Sequence, residues 1–450
     1  MASWTEHSLK VAMQSAFGTA NTTDSNFHAL LCDKPRVTFD TAIEELELLT
    51  GQVGAAPERV VGRRSGSIAF TIPLEGFKDG YDPTGENPGG APVGSVEVIP
   101  PWLALVANAM GSNLSAVTTN ADFWRGLHLS TSQYTAGGVS SATSTAITYD
   151  NATASDKIDV GQAVLTALSA TSTVPQWGWA KTKAGQVVTL FEASINTVND
   201  AAANAYGTAT GYQSSEVSST KPLTMRWVGD DTTFAYILRD CICESFKITW
   251  ESGEVPKVEF TFKFYDFSMD KTKGGLVTPD AYDRIPQIVG SINGRATVAG
   301  TATCGLEACS FEWKATIRET KCHGTGSGIS AVSIIKPRVT LQCTIPHDSG
   351  DTVYDSAGSA GNTGSHQWQS ALELGTRKSF GVYVGANVGR MFALLVPSGL
   401  IVATPAVQDR DGVVAYQLTV EAASYTADST DTAETSADSP LDSIARVALG

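Results

Sequence analysis

The sequence predicts a mainly β protein made of two tandem domains. Charged residues are only 17% of the 450 in the chain, so the charged faces typical of surface helices are scarce. Short runs of alternating apolar residues are separated by Gly, Ser and Asp, which is the pattern of half-buried strands between turns. Two parts of the chain also repeat one order of strands and turns, and a chain of this length can form two hydrophobic cores.

The clearest repeat joins residues 234–267 to residues 392–425, which have equal length and align without a gap. Each segment begins with Phe-Ala, continues through apolar strands and a polar turn, and ends in an alternating strand. The turns, ESGE and DRDG, contain the residue types that a hairpin requires. Alternation places three apolar residues on one face of each final strand. These are Val258, Phe260 and Phe262 in the first segment, and Tyr416, Leu418 and Val420 in the second.

The upstream segments follow the same order in both halves. In turn, these are an alternating strand (residues 29–45 and 304–319), a strand with Thr-Ile-Pro (64–76 and 336–348), a short helix between Trp and Gly (101–111 and 367–375) and a further strand (185–191 and 378–384). The pentapeptide KPRVT occurs at residues 34–38 and 336–340, on strands that do not correspond. We therefore interpret its identity as accidental and the duplication as real.

These matches predict the domain boundaries. They are an N-terminal arm (1–28), a first domain (29–270) with a small β insertion in residues 112–221, a linker (271–284), a second domain (285–425) and an acidic C-terminal tail (426–450). The tail is polar and cannot bury enough apolar surface to become ordered alone.

The charge balance argues against a protein that grips nucleic acid by its overall surface. The formal net charge is −15 and the isoelectric point is about 4.8. Affinity for a phosphate backbone comes from Lys and Arg residues that release counterions, so an acidic surface repels DNA. Such a surface suits a channel better than a clamp.

We expect neither export nor a membrane anchor. Glu6 and Lys10 stand where a secretory signal needs an apolar run. The most apolar segment, residues 391–407, is interrupted at Pro397 and predicts two short buried strands instead of a membrane span. The seven cysteines then predict reduced, partly buried thiols.

The sequence predicts no catalytic or metal-binding set. Four candidate metal ligands, Cys304, Cys309, Cys322 and His323, have a spacing that fits no strong zinc pattern, which favours structural thiols. We find no serine elbow, phosphate-binding glycine loop or calcium loop. We therefore expect a structural protein with no enzymatic activity, no cofactor and no metal.

Three segments in the first part of the chain follow one another in a distinctive order: LKVAMQSAFGTA (9–20), a strand–loop–strand unit (34–77) with Gly-Arg-Arg at the end of its loop, and PPWLALVANAMG (100–111). Their resemblance is to the major tail tube protein of long-tailed, siphovirus-like bacteriophages. The resemblance continues through residues 178–193, 222–267 and 391–425. It covers nearly all of the chain except the acidic tail.

This resemblance implies β-sandwich or barrel domains, each with a short helix, in rings whose inner strands form a β-barrel lumen. The rings stack into a tube through which DNA passes without specific binding. A duplicated chain would form homotrimeric, pseudo-hexameric rings, and a hexamer of whole chains is the alternative. The implied partners are further copies of the chain, the tape measure protein, the tail terminator and distal tail proteins. The implied location is the virion tail, assembled in the host cytoplasm.

Residues 41–64 predict a long polar loop that contacts the next ring, and the alternative is a mobile surface loop. Six apolar residues are available to dock: Leu46, Leu48, Leu49, Val53, Val60 and Val61.

Three alternative functions stay open, and the third of them is a hydrolase, for which the sequence nominates no catalytic carboxylate. The tube of a gene-transfer-agent-like particle belongs to the same class. A secreted or surface β-sandwich that binds carbohydrate would stack some of its nine Trp side chains on sugars. The patterns around Trp102, Trp250 and Trp368 instead indicate core positions.

Overall fold

The structure is a computed structural model, and it describes most of the chain with gaps. The described residues are 7–46, 58–76, 99–112, 117–126, 138–143, 145–149, 160–167, 176–191, 203–207, 209–214, 220–229, 235–270, 272, 294–298, 301–302, 306–321, 329–346, 375, 377–385, 391–404, 406–410, 413–423 and 443–449. In these residues the protein is mainly β, with 24 strands and two α-helices.

The strands up to residue 269 and the helices are numbered in chain order. They are β1 (His7–Met13), β2 (His28–Leu30), β3 (Arg36–Leu46), β4 (Glu58–Pro73), α1 (Pro101–Met110), α2 (Asn120–Arg125), β5 (Gly138–Thr143), β6 (Ala146–Tyr149), β7 (Ala163–Ala167), β8 (Gln176–Ala184), β9 (Val187–Leu190), β10 (Ala203–Gly207), β11 (Ala209–Ser214), β12 (Leu223–Gly229), β13 (Ala235–Glu251), β14 (Lys257–Phe264) and β15 (Asp266–Met269).

The remaining strands follow in the same way. They are β16 (Gly294–Val298), β17 (Thr301–Ala302), β18 (Ala308–Lys321), β19 (Ile329–Pro346), β20 (Lys378–Val384), β21 (Phe392–Ile401), β22 (Ala406–Arg410), β23 (Val413–Ala422) and β24 (Ser443–Leu449).

Strand β14 shows why these segments are extended. Its sequence KVEFTFKF alternates, so Val258, Phe260 and Phe262 all point into the core while Lys257 and Glu259 face solvent. Burying side chains of this size contributes roughly 1.5–3 kcal/mol each. The prediction that these residues share a buried face is confirmed, and the same holds for the matched trio of β23: Tyr416, Leu418 and Val420.

Helix α1 confirms the predicted helix at residues 101–111. Pro101 occupies its first turn, where the missing N–H is not needed, and Gly111 ends it with a φ of 70°. All ten residues of α1 are buried. Helix α2 was not predicted, although its capping box of Thr119 and Asp122 is a recognisable signal. The second predicted helix, residues 367–375, lies outside the described residues except for Gly375.

The main sheet contains two series of paired strands, here called runs, and both runs have the same strand order. The first run has the order β2-β1-β12-β13-β14-β4-β3, with β15 beside the N-terminal part of β13. The second has the order β17-β16-β20-β21-β23-β19-β18, with β24 beside the N-terminal part of β21. Strand β22 pairs with β23 after β21 ends, so β21 and β22 together occupy the place that β13 alone occupies in the first run.

The registers of the two runs match as well. Both β4 and β19 end in Thr-Ile-Pro. Ile72 of β4 lies opposite Val258 of β14, and Ile345 of β19 lies opposite Tyr416 of β23. Val258 and Tyr416 are the residues that the gapless alignment matched, so the sequence match and the hydrogen-bonded ladders agree.

The two KPRVT copies lie at different places in these runs. The first leads into β3, the first strand of a hairpin, whereas the second lies within β19, the second strand of the other hairpin. Lys336 has a φ of 50°, next to a register shift between β18 and β19. Such a shift marks a β-bulge, which bends the strand locally.

Six strands between residues 138 and 207 form a separate closed barrel in the order β10-β5-β6-β9-β8-β7. Its own small core includes Val139, Ile147, Tyr149 and Val188. The predicted match of residues 185–191 to residues 378–384 was therefore wrong, because β9 belongs to this barrel while β20 belongs to the main sheet. Strand β12 takes the place of β20 in the first run. A short Val-rich alternation cannot tell one sheet from another.

Two segments predicted as terminal extensions contain strands of the main sheet. Strand β1, within the predicted arm 1–28, lies between β2 and β12, and its Leu9 and Val11 are fully buried. Strand β24, within the predicted tail 426–450, is buried at all seven positions. Each of these strands carries enough apolar side chains to join the core, and the bounds of the arm and of the tail stay predictions. The other domain boundaries stay predictions.

The apolar segment 391–407 also differs from the prediction of two short buried strands. Strand β21 runs through Pro397 to Ile401, and β22 follows with Val407 exposed. Pro397 is accommodated at a register shift against β20, where β21 also changes its partner on the other edge from β24 to β23. A bulge is a place where a strand tolerates the missing N–H of proline.

Candidate assembly surface

The predicted contact loop, residues 41–64, has a paired strand at each of its two ends. Strands β3 and β4 pair as far as Leu46 and Glu58, with a register shift after Thr41. Leu46, Val60 and Val61 lie on these strands, whereas Leu48, Leu49 and Val53 lie outside the described residues. The prediction of a loop was wrong for the paired residues. Their sequence is polar and their pairing is interrupted by a register shift, so apolar and polar residues do not alternate regularly there. Their contact with a neighbouring ring stays a prediction.

The two runs of strands join inside the chain at one junction. The C-terminal part of β13 pairs with β18, from Ser245 opposite Lys314 to Glu251 opposite Ala308. This pairing makes the two runs one continuous sheet. The hydrogen bonds of the ladder and the side chains that it aligns hold the junction together.

One face of the junction is apolar and dry. Phe246 of β13 stacks on Trp313 of β18, with ring centroids 5.5 Å apart and an interplanar angle of 13°. Ile248 lies opposite Phe311, and all four side chains are at most 1% exposed. Aromatic pairs of this kind add about 0.5–1.5 kcal/mol to the effect of buried area.

Polar contacts fix the borders of the junction. The Nε1–H of Trp313 donates to Oε1 of Gln213 at 2.8 Å. The ammonium of Lys263 on β14 lies 2.8 Å from Oε1 of Glu319 on β18. The Lys263 side chain is 35% exposed, so this ion pair contributes only about 0–1 kcal/mol.

Two edge strands lie at the opposite ends of this continuous sheet. Strand β3 pairs with β4, and β22 pairs with β23; within the described part of the chain, no strand pairs with the other edge of either. Both edges carry apolar side chains in contact with solvent, since Phe39 is 37% and Val407 is 62% exposed. An edge of this kind is a template for pairing with another chain.

The two edge strands, β3 and β22, have counterparts in the two strands that pair at the internal junction. By order and register, β3 stands in the first run where β18 stands in the second, and β22 stands where the C-terminal part of β13 stands. Trp313 is fully buried where its counterpart Phe39 is partly exposed, and Ile248 is fully buried where Val407 is exposed. Each edge therefore matches, in position, one strand of the junction that the chain forms internally.

The described cysteines do not form a reactive centre. Cys309 and Cys343 lie opposite each other on β18 and β19 as free, buried thiols. Burial raises the pKa of Cys343 to about 12 and that of Cys309 well above its usual value, so both stay protonated at neutral pH. The other three candidate metal ligands, Cys304, Cys322 and His323, lie outside the described residues. Among the described residues, no group of three or more His, Cys, Asp and Glu side chains is arranged to hold a metal ion.

The tryptophans whose side chains the structure describes are core residues. Trp102 and Trp250 are buried, which confirms the prediction for both, while Trp368 lies outside the described residues. The other described ones are equally buried: Trp124, Trp179, Trp227 and Trp313. None of these rings offers a free face for stacking on a sugar.

A comparison with models of protein families and a comparison with curated proteins each found no match.

Among the described residues, the helices are too short or too polar to cross a membrane.

Proposed function

We propose that this protein is a structural subunit that assembles head to tail into rings, and that the rings stack into the tail tube of a long-tailed bacteriophage. The observation that carries the proposal is the pair of open edges, β3 and β22, which correspond to the two strands of the internal junction. The resemblance of the sequence to major tail tube proteins supports the same role.

The chain is, in this proposal, a tandem duplication of one tube domain. The matching strand order and the matching registers at Thr-Ile-Pro support the duplication. Each chain then supplies two of six equivalent positions, and three chains complete a pseudo-sixfold ring. The short helix α1 flanks the first domain, and the small barrel β5–β10 is an insertion into it.

Two unlike edges on one subunit allow the subunits to close into a ring. A contact between two different surfaces of one subunit is heterologous, and it forms a closed ring if the rotation per subunit divides a full turn. Closure removes the exposed edges that would otherwise aggregate. With a formal net charge of −15 per chain, acidic side chains that face the lumen would repel the phosphates of DNA and let it pass.

The proposed role is structural and involves no catalysis. The partners are further copies of the chain, the tape measure protein inside the tube, and the terminator and distal tail proteins at its ends. The location is the virion tail, after assembly in the host cytoplasm.

Negative-stain electron microscopy of the concentrated protein tests the assembly. We expect hollow rings or tubes, with threefold symmetry in ring classes. Sixfold rings of the whole chain would keep the function but contradict the duplication. Monomers at all concentrations, also after addition of preformed tail tips, would contradict the tube function.

A variant of the β3–β4 hairpin tests the predicted contact between rings. Residues 47–57 are replaced by Asn-Gly, which closes a two-residue hairpin after Leu46. We expect this variant to keep its circular dichroism spectrum and melting temperature and to form rings that do not stack. Tubes of normal length would show that Leu48, Leu49 and Val53 are not needed for stacking.

A further inference from the structure

We propose that β22 of one copy pairs antiparallel with β3 of the next copy, with Val407 opposite Val37. This inference rests on the proposed function, because it specifies the contact between neighbouring subunits of the ring. The occupant of each edge is therefore a second copy of this chain. The internal junction of β13 and β18 is the template for the pairing.

The register follows from that junction. Val258 of β14 lies opposite Ile248 of β13, which in turn lies opposite Phe311 of β18. In the second run Tyr416 takes the place of Val258, and it lies opposite Val407 of β22. Val407 is thus the counterpart of Ile248. The residue that pairs with Val407 on its open edge must therefore be the counterpart of Phe311.

The counterpart of Phe311 in the first run is Val37. Phe311 lies opposite Leu341 of β19, and Val37 lies opposite Ile68 of β4. Leu341 and Ile68 both stand three residues before the Thr-Ile-Pro that ends their strands. Val407 therefore lies opposite Val37 of the next copy, and Gln408 lies opposite Arg36.

The side chains on the two edges fit this register. Val37 is partly buried and already packs against the core, whereas Val407 points the same way as the buried Tyr416 but is 62% exposed. Pairing covers Val407 with the side chain of Val37 and continues the apolar face of the sheet. On the opposite face, Arg36 and Gln408 are polar and suit a wet outer surface.

A pair of cysteines tests the register. Arg36→Cys and Gln408→Cys are combined in the full-length protein, which is concentrated and oxidised. Directly opposite residues of an antiparallel pair have Cα atoms about 4.5–5.5 Å apart, within the range that a disulfide bridges. We expect most chains to form reducible oligomers whose masses are multiples of 47.3 kDa.

Matched controls separate this register from other contacts. Thr38→Cys with Gln408→Cys places the thiols two residues apart along β3, where side chains are about 7–8 Å apart, and we expect several-fold less cross-linking. Each single variant alone reports any cross-link through native cysteines. A mixture of the two single variants should give only dimers, because one copy supplies β3 and the other β22.

The outcomes distinguish this pairing from the proposed function. Tubes in the microscope without a 36–408 cross-link would overturn the pairing and leave the tube function standing. A 36–36 disulfide in dimers of Arg36→Cys alone, identified by mass spectrometry, would overturn it in favour of a symmetric β3–β3 contact. Efficient 36–408 cross-links without tubes would support the pairing and remove support from the tube. A protein that stays monomeric and uncross-linked, also after addition of preformed tail tips, would overturn both.

Discussion

Asp240 holds a backbone conformation that few side chains adopt, with a φ of 55°. It lies in β13 where the strand leaves its partners β12 and β15 and begins to pair with β14 and β18. Its Oδ1 accepts the backbone N–H of Gly18 at 2.7 Å. Asp and Asn tolerate the left-handed region better than other residues that carry a β-carbon, so the residue type fits this bend.

Replacing Asp240 with Asn should raise stability at neutral pH. Burial, and then the charge of Asp266, raise the pKa of Asp240 above 3.8, although the hydrogen bond from Gly18 lowers it. The unfolded state therefore ionises first, and the protein loses stability as pH rises from 3.8 through the raised pKa. Asn keeps an oxygen that accepts the N–H of Gly18, and it tolerates a positive φ, but it carries no charge. The gain in unfolding free energy, measured in urea, should thus be larger at pH 7 than at pH 3.5.

Asp240→Ala is the control for this prediction. It loses both the acceptor and the tolerance for positive φ, so it should cost about 1–3 kcal/mol at pH 3.5, and less at pH 7, where it also removes the destabilising charge. An Asn variant that gains nothing at pH 7 relative to pH 3.5 would show that the carboxylate is not destabilised in the fold.

Residue-scale patterns were readable from the sequence only where one physical rule dominates. Alternation predicted the buried face of β14, and the Gly at the end of α1 predicted its C-terminus. The bend at Asp240 was not predictable, because it depends on strands that are distant in sequence. The same holds for the edge position of Val407, whose exposure depends on which strand is its neighbour.

At the scale of elements, β24 connects the main sheet to the small barrel. It pairs with β11 and β21, and its Arg446 is fully buried. The Nε of Arg446 donates to Oγ of Ser443 at 2.6 Å, and Nη1 donates to the carbonyl oxygen of Gly161 at 3.2 Å. The guanidinium carbon also lies 5.2 Å from the centroid of the Phe191 ring. The Arg446 side chain thus contacts its own strand β24, the residue Gly161 that precedes β7 and the residue Phe191 that follows β9.

Arg446→Ala should destabilise the protein by about 2–5 kcal/mol, because it leaves a cavity and removes donors from buried oxygens. Denaturant unfolding measures this loss. Lys181→Ala is the matched control, since the Lys181 ammonium lies 5.9 Å from the centroid of the same ring but the residue is only half-buried. We expect the control to cost less than about 1 kcal/mol. Equal losses would show that Arg446 is not the main tie between β24 and the barrel.

Composition alone does not predict the strands β1 and β24. The acidic stretch before residue 443 suggested a tail, although Ser443–Leu449 is an apolar strand. Likewise, β1 was assigned to an arm although its alternation is clear. Local sequence did not predict that β1 and β24 join the main sheet. Each is stabilised by a partner that lies about two hundred residues away, which is β12 for β1 and β11 for β24.

At the scale of the whole molecule, the repeated strand order explains why one chain has two unlike edges. The proposed tandem repeat, with its one internal junction, would leave the first strand of that junction open at one end and the second strand open at the other. The sequence repeat predicted two halves, but the edges became visible only with the pairings of β3 and β22.

Self-association should therefore increase with salt. Each chain carries a formal net charge of −15, so three copies bring together three times that charge, while the proposed contact is made by backbone hydrogen bonds and by Val37 and Val407. At about 0.1 M ionic strength the Debye length is about 10 Å, and repulsion between subunits is screened. We expect the weight-average mass in sedimentation to rise between about 20 mM and 300 mM NaCl at pH 7.5. Val407→Glu should stay monomeric over this range, which excludes nonspecific salting out. A mass that falls with salt would instead show that complementary charges dominate the contact.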